Sequence, residues 1–130
     1  MALTYVIDPQ VGFIEIQRSH NPTFDEWRSF MESLLADARF TPGMSIVEDR
    51  RGVLDAPSRI EVEIAAAWIR ANATRLGRSR WAIVVDPAAQ AAYGMARVGE
   101  FLTDRSGVSQ RPFTQLDEAR AWAADPAVTE

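Results

Sequence analysis

The run Trp81-Ala82-Ile83-Val84-Val85, bounded by Arg80 on one side and Asp86-Pro87 on the other, most constrains the fold. It is the most continuous apolar strand-like stretch in the chain, and a strand without hydrophobic alternation is buried on both faces. Burial on both faces calls for a parallel sheet with helices packed over it. Parallel neighbours cannot be joined by a tight turn, so the rest of the chain must alternate strand and helix. The run itself is predicted to be the centre of that sheet.

The remaining sequence supplies the alternation. Residues 3–7 and 12–17 are β-branched and aromatic runs on either side of the turn cluster Asp8-Pro9-Gln10, which predicts an antiparallel hairpin. Thr23 with Glu26 three residues on makes a capping box, and Trp27, Met31, Leu34 and Ala38 follow at helical spacing before Pro42-Gly43. Met44 to Asp49 reads as a short, mostly buried strand that stops in the polar loop Arg50 to Pro57.

Ser58 and Glu61 form a second capping box, opening a helix that reaches about Leu76 with Ile60, Ile64, Ala67 and Ala71 as its stripe. Val62, Ala65 and Ile69 widen its apolar face, so more than one side should be covered, by the sheet and by a further surface such as a neighbouring subunit. Asp86-Pro87 provides an N-cap and a first-position proline for a helix turning Ala91, Met95, Val98 and Leu102 inward. Val108 to Phe113 is a strand whose Pro112 cannot donate to a ladder, which favours an edge. The last helix follows Thr114 and packs Leu116, Ala119 and Trp122 or Ala123. The expected fold class is therefore α/β, in the order ββαβαβαβα. It is one domain over residues 1–130, a single-layer mixed five-stranded sheet with an N-terminal β-hairpin, four helices and right-handed crossovers.

Composition removes several chemistries. The 130 residues contain no Cys and one His, His20, in a loop before Asn21-Pro22. Disulfides, thiol catalysis, iron–sulfur ligation, structural zinc and histidine-based triads lack their atoms. All 14 basic residues are Arg, so Schiff-base chemistry and the phosphate-loop Lys are absent as well. No cofactor and no metal site are expected. A net charge of −4 is the wrong sign for a domain living by phosphate contacts on nucleic acid. The local cluster Arg70, Arg75, Arg78 and Arg80 reads as cations collected at a helix end. Residues 64–69, the longest apolar run, are too few to span a bilayer, and Met1 to Tyr5 lack a leader pattern, so a cytoplasmic protein is expected.

This layout, together with Tyr93-Gly94-Met95-Ala96-Arg97 and the ending Phe113-Thr114-Gln115-Leu116-Asp117-Glu118-Ala119-Arg120-Ala121-Trp122, resembles the bacterial SpoIIAA-like (STAS-like) domains across essentially the whole chain. Within that fold it looks most like a branch without an assigned activity, similar in architecture to the CRAL-TRIO lipid-binding domains. The anti-sigma-factor antagonists of the wider family carry an Asp-Ser-Ser/Thr-Gly motif whose Ser is phosphorylated at the start of the second main helix. The corresponding place here reads Asp55-Ala56-Pro57-Ser58, which keeps an acid and a helix-opening Ser but lacks the Ser-Gly pair.

Two surfaces gather candidate residues. Asp49, Arg50, Arg51 and Asp55 lie in the loop leaving a sheet strand, the edge where open α/β sheets bind ligands; a solvated, ion-paired loop is the plain alternative. Glu48 and Asp49 are adjacent in a strand and face opposite ways, so they do not form a catalytic dyad. Ser58 is either a phospho-acceptor beside Arg50, Arg51 and Arg59 or simply a helix cap paired with Glu61. Tyr93, Arg97 and Glu100 share a helix face that suits a partner surface or an anionic head group, or an ordinary surface ion pair. Gly94 and Gly99 in the same helix imply close packing there.

The expected function is non-enzymatic, a regulatory protein–protein interaction by a homodimer. The alternative is a carrier or sensor of a small apolar or amphipathic, lipid-like ligand, which requires a cavity lined by Trp or Phe beneath the helices.

Overall fold

A computed structural model describes residues 3–8 and 10–125. Pro9 of the hairpin turn and the first two residues lie outside the described residues. The elements are β1 (Leu3–Asp8), β2 (Phe13–Arg18), α1 (Phe24–Ala36), β3 (Ser45–Asp49), α2 (Arg59–Ala71), α3 (Ala73–Leu76), β4 (Ser79–Val84), α4 (Gln90–Leu102), β5 (Val108–Phe113) and α5 (Leu116–Ala123). The strands form one sheet in the order β1-β2-β3-β4-β5, with β1 antiparallel to β2 and every later pair parallel.

Because the parallel strands advance in sequence order, their right-handed crossovers place α1, α2, α3 and α4 on one face of the sheet. The core there joins Ile14, Ile16, Ile46, Trp81 and Ile83 to Trp27, Met31, Leu34, Ile69, Leu76 and Ala96. On the opposite face, among the described residues, α5 covers Phe13, Val47, Ala82 and Val84 with Ala119 and Ala123. The edge position expected for Pro112 holds, since β5 ends the sheet.

Both capping boxes form. Thr23 Oγ1 accepts from Glu26 N at 3.2 Å while Glu26 Oε1 accepts from Thr23 N at 2.9 Å. Ser58 Oγ accepts from Glu61 N at 3.2 Å while Glu61 Oε1 accepts from Ser58 N at 3.0 Å. Each box satisfies two backbone donors that a helix start otherwise leaves free.

Four local expectations are corrected. The sheet centre is β3, buried along its whole length, and β4 lies one strand towards the edge. The second helix stops at Ala71, and one further turn, α3, carries the chain to Leu76 before Gly77. Gly77 has φ 77°, and a Cβ there would collide with the Pro42–Gly43 backbone, so only glycine fits that close approach. In α2 the stripe on the sheet is Ala66 and Ile69, flanked by Val62 and Ala65; Ile60, Ile64, Ala67 and Ala71 point to solvent. Periodicity finds two apolar stripes and cannot say which one the sheet covers. The fourth is α4, which begins at Gln90 because Asp86 instead closes a turn, its Oδ1 accepting from Ala88 N and its carbonyl from Ala89 N. Its buried stripe is accordingly Ala92, Ala96 and Gly99.

Candidate functional site

β2 carries Ile14, Ile16 and Arg18 on its helix-covered face, and β3 carries Ile46 and Glu48 on the same face. The β2–β3 register sets Ile16 opposite Glu48, so the two charged residues end neighbouring apolar rows at the carboxyl edge of the sheet. Arg18 Nη2 reaches Glu48 Oε2 at 3.0 Å, Arg50 Nε donates to the same oxygen at 2.6 Å, and Trp81 Nε1 donates to Glu48 Oε1 at 3.1 Å. Glu48 is 1% exposed and Arg18 7%.

Burial on its own would push the Glu48 carboxyl up. The nearby guanidiniums of Arg50 and Arg18, with hydrogen bonds from Arg50 and Trp81, outweigh it and hold the group down at about 2. Arg18 is lowered to about 10, first by burial and then by the like charge of Arg50.

Directly over this cluster lies a pocket of about 70 Å³. Its walls come from Phe24 and Trp27 of α1, Val62 and Ala65 of α2, and Met95 and Gly99 of α4. Trp81, Ile83 and Gln110 form its sheet side, and Arg18 and Arg50 its polar end. The rings interlock: Trp27 stacks on Trp81 at 6.4 Å between centroids and meets Trp68 edge-on at 5.1 Å. A crevice at the carboxyl ends of parallel strands is where open α/β sheets bind their ligands.

The loop residues read from the sequence divide between the two faces. Arg50 enters the pocket. Asp49 turns to the α5 face, where Arg51 holds it through Nε at 3.0 Å and Nη2 at 2.7 Å, with Gln17 Nε2 at 3.4 Å. The Arg51 hydrogen bonds keep the Asp49 carboxyl below its ordinary value against the opposing effect of burial. The carbonyl of Asp55 accepts from Asn21 Nδ2 at 2.9 Å, tying the loop to the entry of α1. Ser58 is exposed and occupied as the cap of α2.

Tyr93 and Arg97 do come together, in an open groove with Glu100, Arg111, Thr114 and Glu118 beside the edge strand, where Arg97 Nε lies 3.1 Å from Glu100 Oε1. The arginines of residues 70–80 do not act as one patch. Arg70 donates to Leu102 O, Arg75 pairs with Glu32, and Arg80 donates to Trp122 O.

Arg18 and Gln110 were not singled out by the sequence, whereas Trp27 and Trp81 belong to the rings that the ligand-carrier reading called for. The signal available was a break in period two, with Arg18 and Glu48 each continuing an apolar row. Among the described residues no group of three His, Cys, Asp or Glu is placed to hold a metal ion. No helix among them is long and apolar enough to cross a membrane.

No protein-family model matches the chain, and no curated protein matches it either. Among solved structures, an uncharacterised protein of the DUF3478 family with a SpoIIAA-like fold, from Shewanella loihica PV-4, superposes with a TM-score of 0.62. That likeness covers 94% of this chain and 92% of the other at 17% identity. A likeness of that extent at that identity speaks to the fold, and the fold of this chain is SpoIIAA-like.

Proposed function

We propose that this domain is a binding module without catalytic activity, and that it takes a small amphipathic molecule in the pocket at the carboxyl edge of the sheet. The observation that carries this reading is the pocket itself, a ring-lined apolar space closing on charged groups at the fold's ligand edge. The chemistry of the lining supports binding over turnover. Its ionisable side chains are Arg18, Arg50 and Glu61, and Glu61 is engaged with the Ser58 N–H. The Thr23 hydroxyl is likewise occupied as a cap, so both side chains already serve the helix starts.

The test is a titration with a panel of short apolar alcohols and acids, followed by amide and indole chemical shifts. Binding in the pocket moves the Trp27 and Trp81 indole signals together with the Gly99 amide, and Ala65→Leu, which fills the wall, abolishes the shifts. Shifts scattered over the surface, or none with any compound, would overturn the reading.

A second reading, a regulatory interaction by a homodimer, has its own observation. Ile60 is 66% and Ile64 43% exposed, and with the exposed Ala67 and Ala71 they make an uncovered apolar stripe along α2. Arg59, Glu61 and Glu63 flank its start, with Arg59 Nε 3.2 Å from Glu63 Oε2, and Arg70 flanks its end. A second copy laid antiparallel on the stripe buries the two apolar rows against each other, in the manner of a two-fold interface. Sedimentation of wild type and Ile64→Glu checks it: a dimer that the substitution converts to monomer supports this surface, and a wild-type monomer at high concentration removes it.

A further inference from the structure

The innermost charges at the polar end of the pocket do not cancel. Two guanidiniums, Arg18 and Arg50, share one carboxylate, Glu48, in a place where Arg18 is 7% and Glu48 1% exposed. Glu61, exposed at the rim, is the least of the charges acting on Arg18. Glu61 at the rim brings the formal sum of the four groups to zero, but among the three innermost an excess of one positive charge is held in a poorly solvated site, where an uncompensated ion is expensive.

The hydrogen bonding is incomplete in the same place. Arg18 uses Nη2 on Glu48 and Nη1 on Asn21 Oδ1 at 3.4 Å, but its buried Nε has no partner among the described residues. Arg50 commits Nε to Glu48 at 2.6 Å, which leaves its two terminal nitrogens as donors at the pocket. Buried donors are almost always satisfied, so an orphan beside an unbalanced charge marks where an acceptor with one negative charge belongs.

Size and lining narrow the rest of that molecule. At about 10–15 Å³ for each water-sized group, 70 Å³ takes about five to seven heavy atoms, too few for a lipid chain. Beyond the arginines the walls are apolar, with Trp27, Trp81 and Met95 facing the space. A doubly charged group such as phosphate would overshoot the single excess charge and face Glu48 and Glu61.

We propose that the pocket binds a short apolar monocarboxylic acid, with its carboxylate accepting from Arg18 Nε and the terminal nitrogens of Arg50 and its chain lying among Trp27, Trp81 and Met95. The proposal rests on the reading of the pocket as a ligand site and adds the chemical class. Planar two-oxygen acceptors suit guanidinium donors, and charge-assisted hydrogen bonds of this kind are stronger than neutral ones.

The experiment compares pentanoate, 1-pentanol, chloride and inorganic phosphate on the whole chain at neutral pH, by calorimetry and by the indole signals of Trp27 and Trp81. Pentanoate is expected to bind about tenfold or more tightly than 1-pentanol, and both more tightly than phosphate. Arg50→Gln is expected to weaken pentanoate by about tenfold and 1-pentanol by much less, because only the carboxylate loses a charge-assisted partner. Arg50 is chosen because it is the more exposed of the two arginines and Glu48 keeps Arg18 as its buried partner; a urea melt of the variant confirms that it is folded.

Equal binding of pentanoate and 1-pentanol would overturn the acid while leaving the pocket reading intact. Chloride or phosphate moving the same signals as strongly as pentanoate would overturn the apolar acid in favour of a general anion site. Binding of none of the four would overturn this proposal and the pocket reading together.

Discussion

Glu48 and Asp49 are consecutive residues of β3, and each is ion-paired to the arginine two positions further on: Glu48 to Arg50 at 2.6 Å and Asp49 to Arg51 at 2.7 Å. The local pattern is the same, and the surroundings differ because successive strand residues face opposite sides of the sheet. Glu48 lies beneath the helices of the crowded face, takes a second arginine from β2 and an indole N–H from β4, and its partner Arg50 is 16% exposed. Asp49 lies on the α5 face, and its partner Arg51 is 46% exposed. One motif thus yields a buried charge cluster that shapes a pocket and a pair in which Asp49 is held by a half-exposed arginine and by Gln17 of the neighbouring strand. The sheet face, rather than the pairing, decides what the ion pair is worth.

The most direct way to break this comparison is to neutralise each acid. Glu48→Gln strands two guanidiniums in the interior and is expected to cost about 3–5 kcal/mol in urea unfolding. Asp49→Asn keeps the shape and loses charge-assisted hydrogen bonds to a half-exposed partner, with an expected loss of about 1 kcal/mol. Equal losses would show that the two faces do not differ in the way described.

Acid titration separates the same two groups. The folded-state value of Glu48, about 2, lies below its ordinary 4.5, so the unfolded chain binds the extra proton as the pH falls between them. The stability contributed by this carboxylate is present above pH 4.5 and is lost progressively down to pH 2, about 3 kcal/mol in all. The slope of stability against pH in that window should flatten in Glu48→Gln and persist in Asp49→Asn.

Much of the fold was legible in the sequence because its signals are local. The hairpin, the two capping boxes and the edge position of Pro112 each follow from a few neighbouring residues. What was hidden depends on pairing between distant segments. The outward turn of Ile60 and Ile64 follows from which of two apolar stripes meets the sheet, and nothing within α2 encodes that. Arg50 was legible as a loop cation, but its role in the pocket needs Arg18, 32 residues away in sequence, and the β2–β3 register that brings them to one edge. Glu48 was set aside as half of a dyad with Asp49, correctly, while its true partners lay on neighbouring strands.

The caps offer a smaller test, at the rim of the pocket. Ser58→Ala removes the acceptor for Glu61 N and is expected to cost about 1 kcal/mol. Glu61 Oε1 still accepts from the backbone N–H at position 58, so a loss well beyond that figure would mean that the hydroxyl does more than cap the helix.

The finest distinction lies within one helix. Gly94 and Gly99 both sit inside α4, where glycine is about 1 kcal/mol less favourable than alanine. A Cβ on Gly94 would meet nothing within 4 Å, so Gly94→Ala should raise stability by about 0.5–1 kcal/mol and leave the pocket unchanged. A Cβ on Gly99 would stand 2.8 Å from Gln110 Oε1, closer than real contacts allow, so the Gln110 side chain must turn away from the wall that it forms. The gain in helix propensity is then offset by the displaced side chain. Gly99→Ala is expected to leave stability within about 0.5 kcal/mol of wild type. Pentanoate affinity should nevertheless fall in Gly99→Ala, and not in Gly94→Ala, because only the first moves a residue that lines the space above Arg18. If both variants gained stability equally and bound alike, Gly99 would be a spectator and the pocket wall would have to be drawn without Gln110.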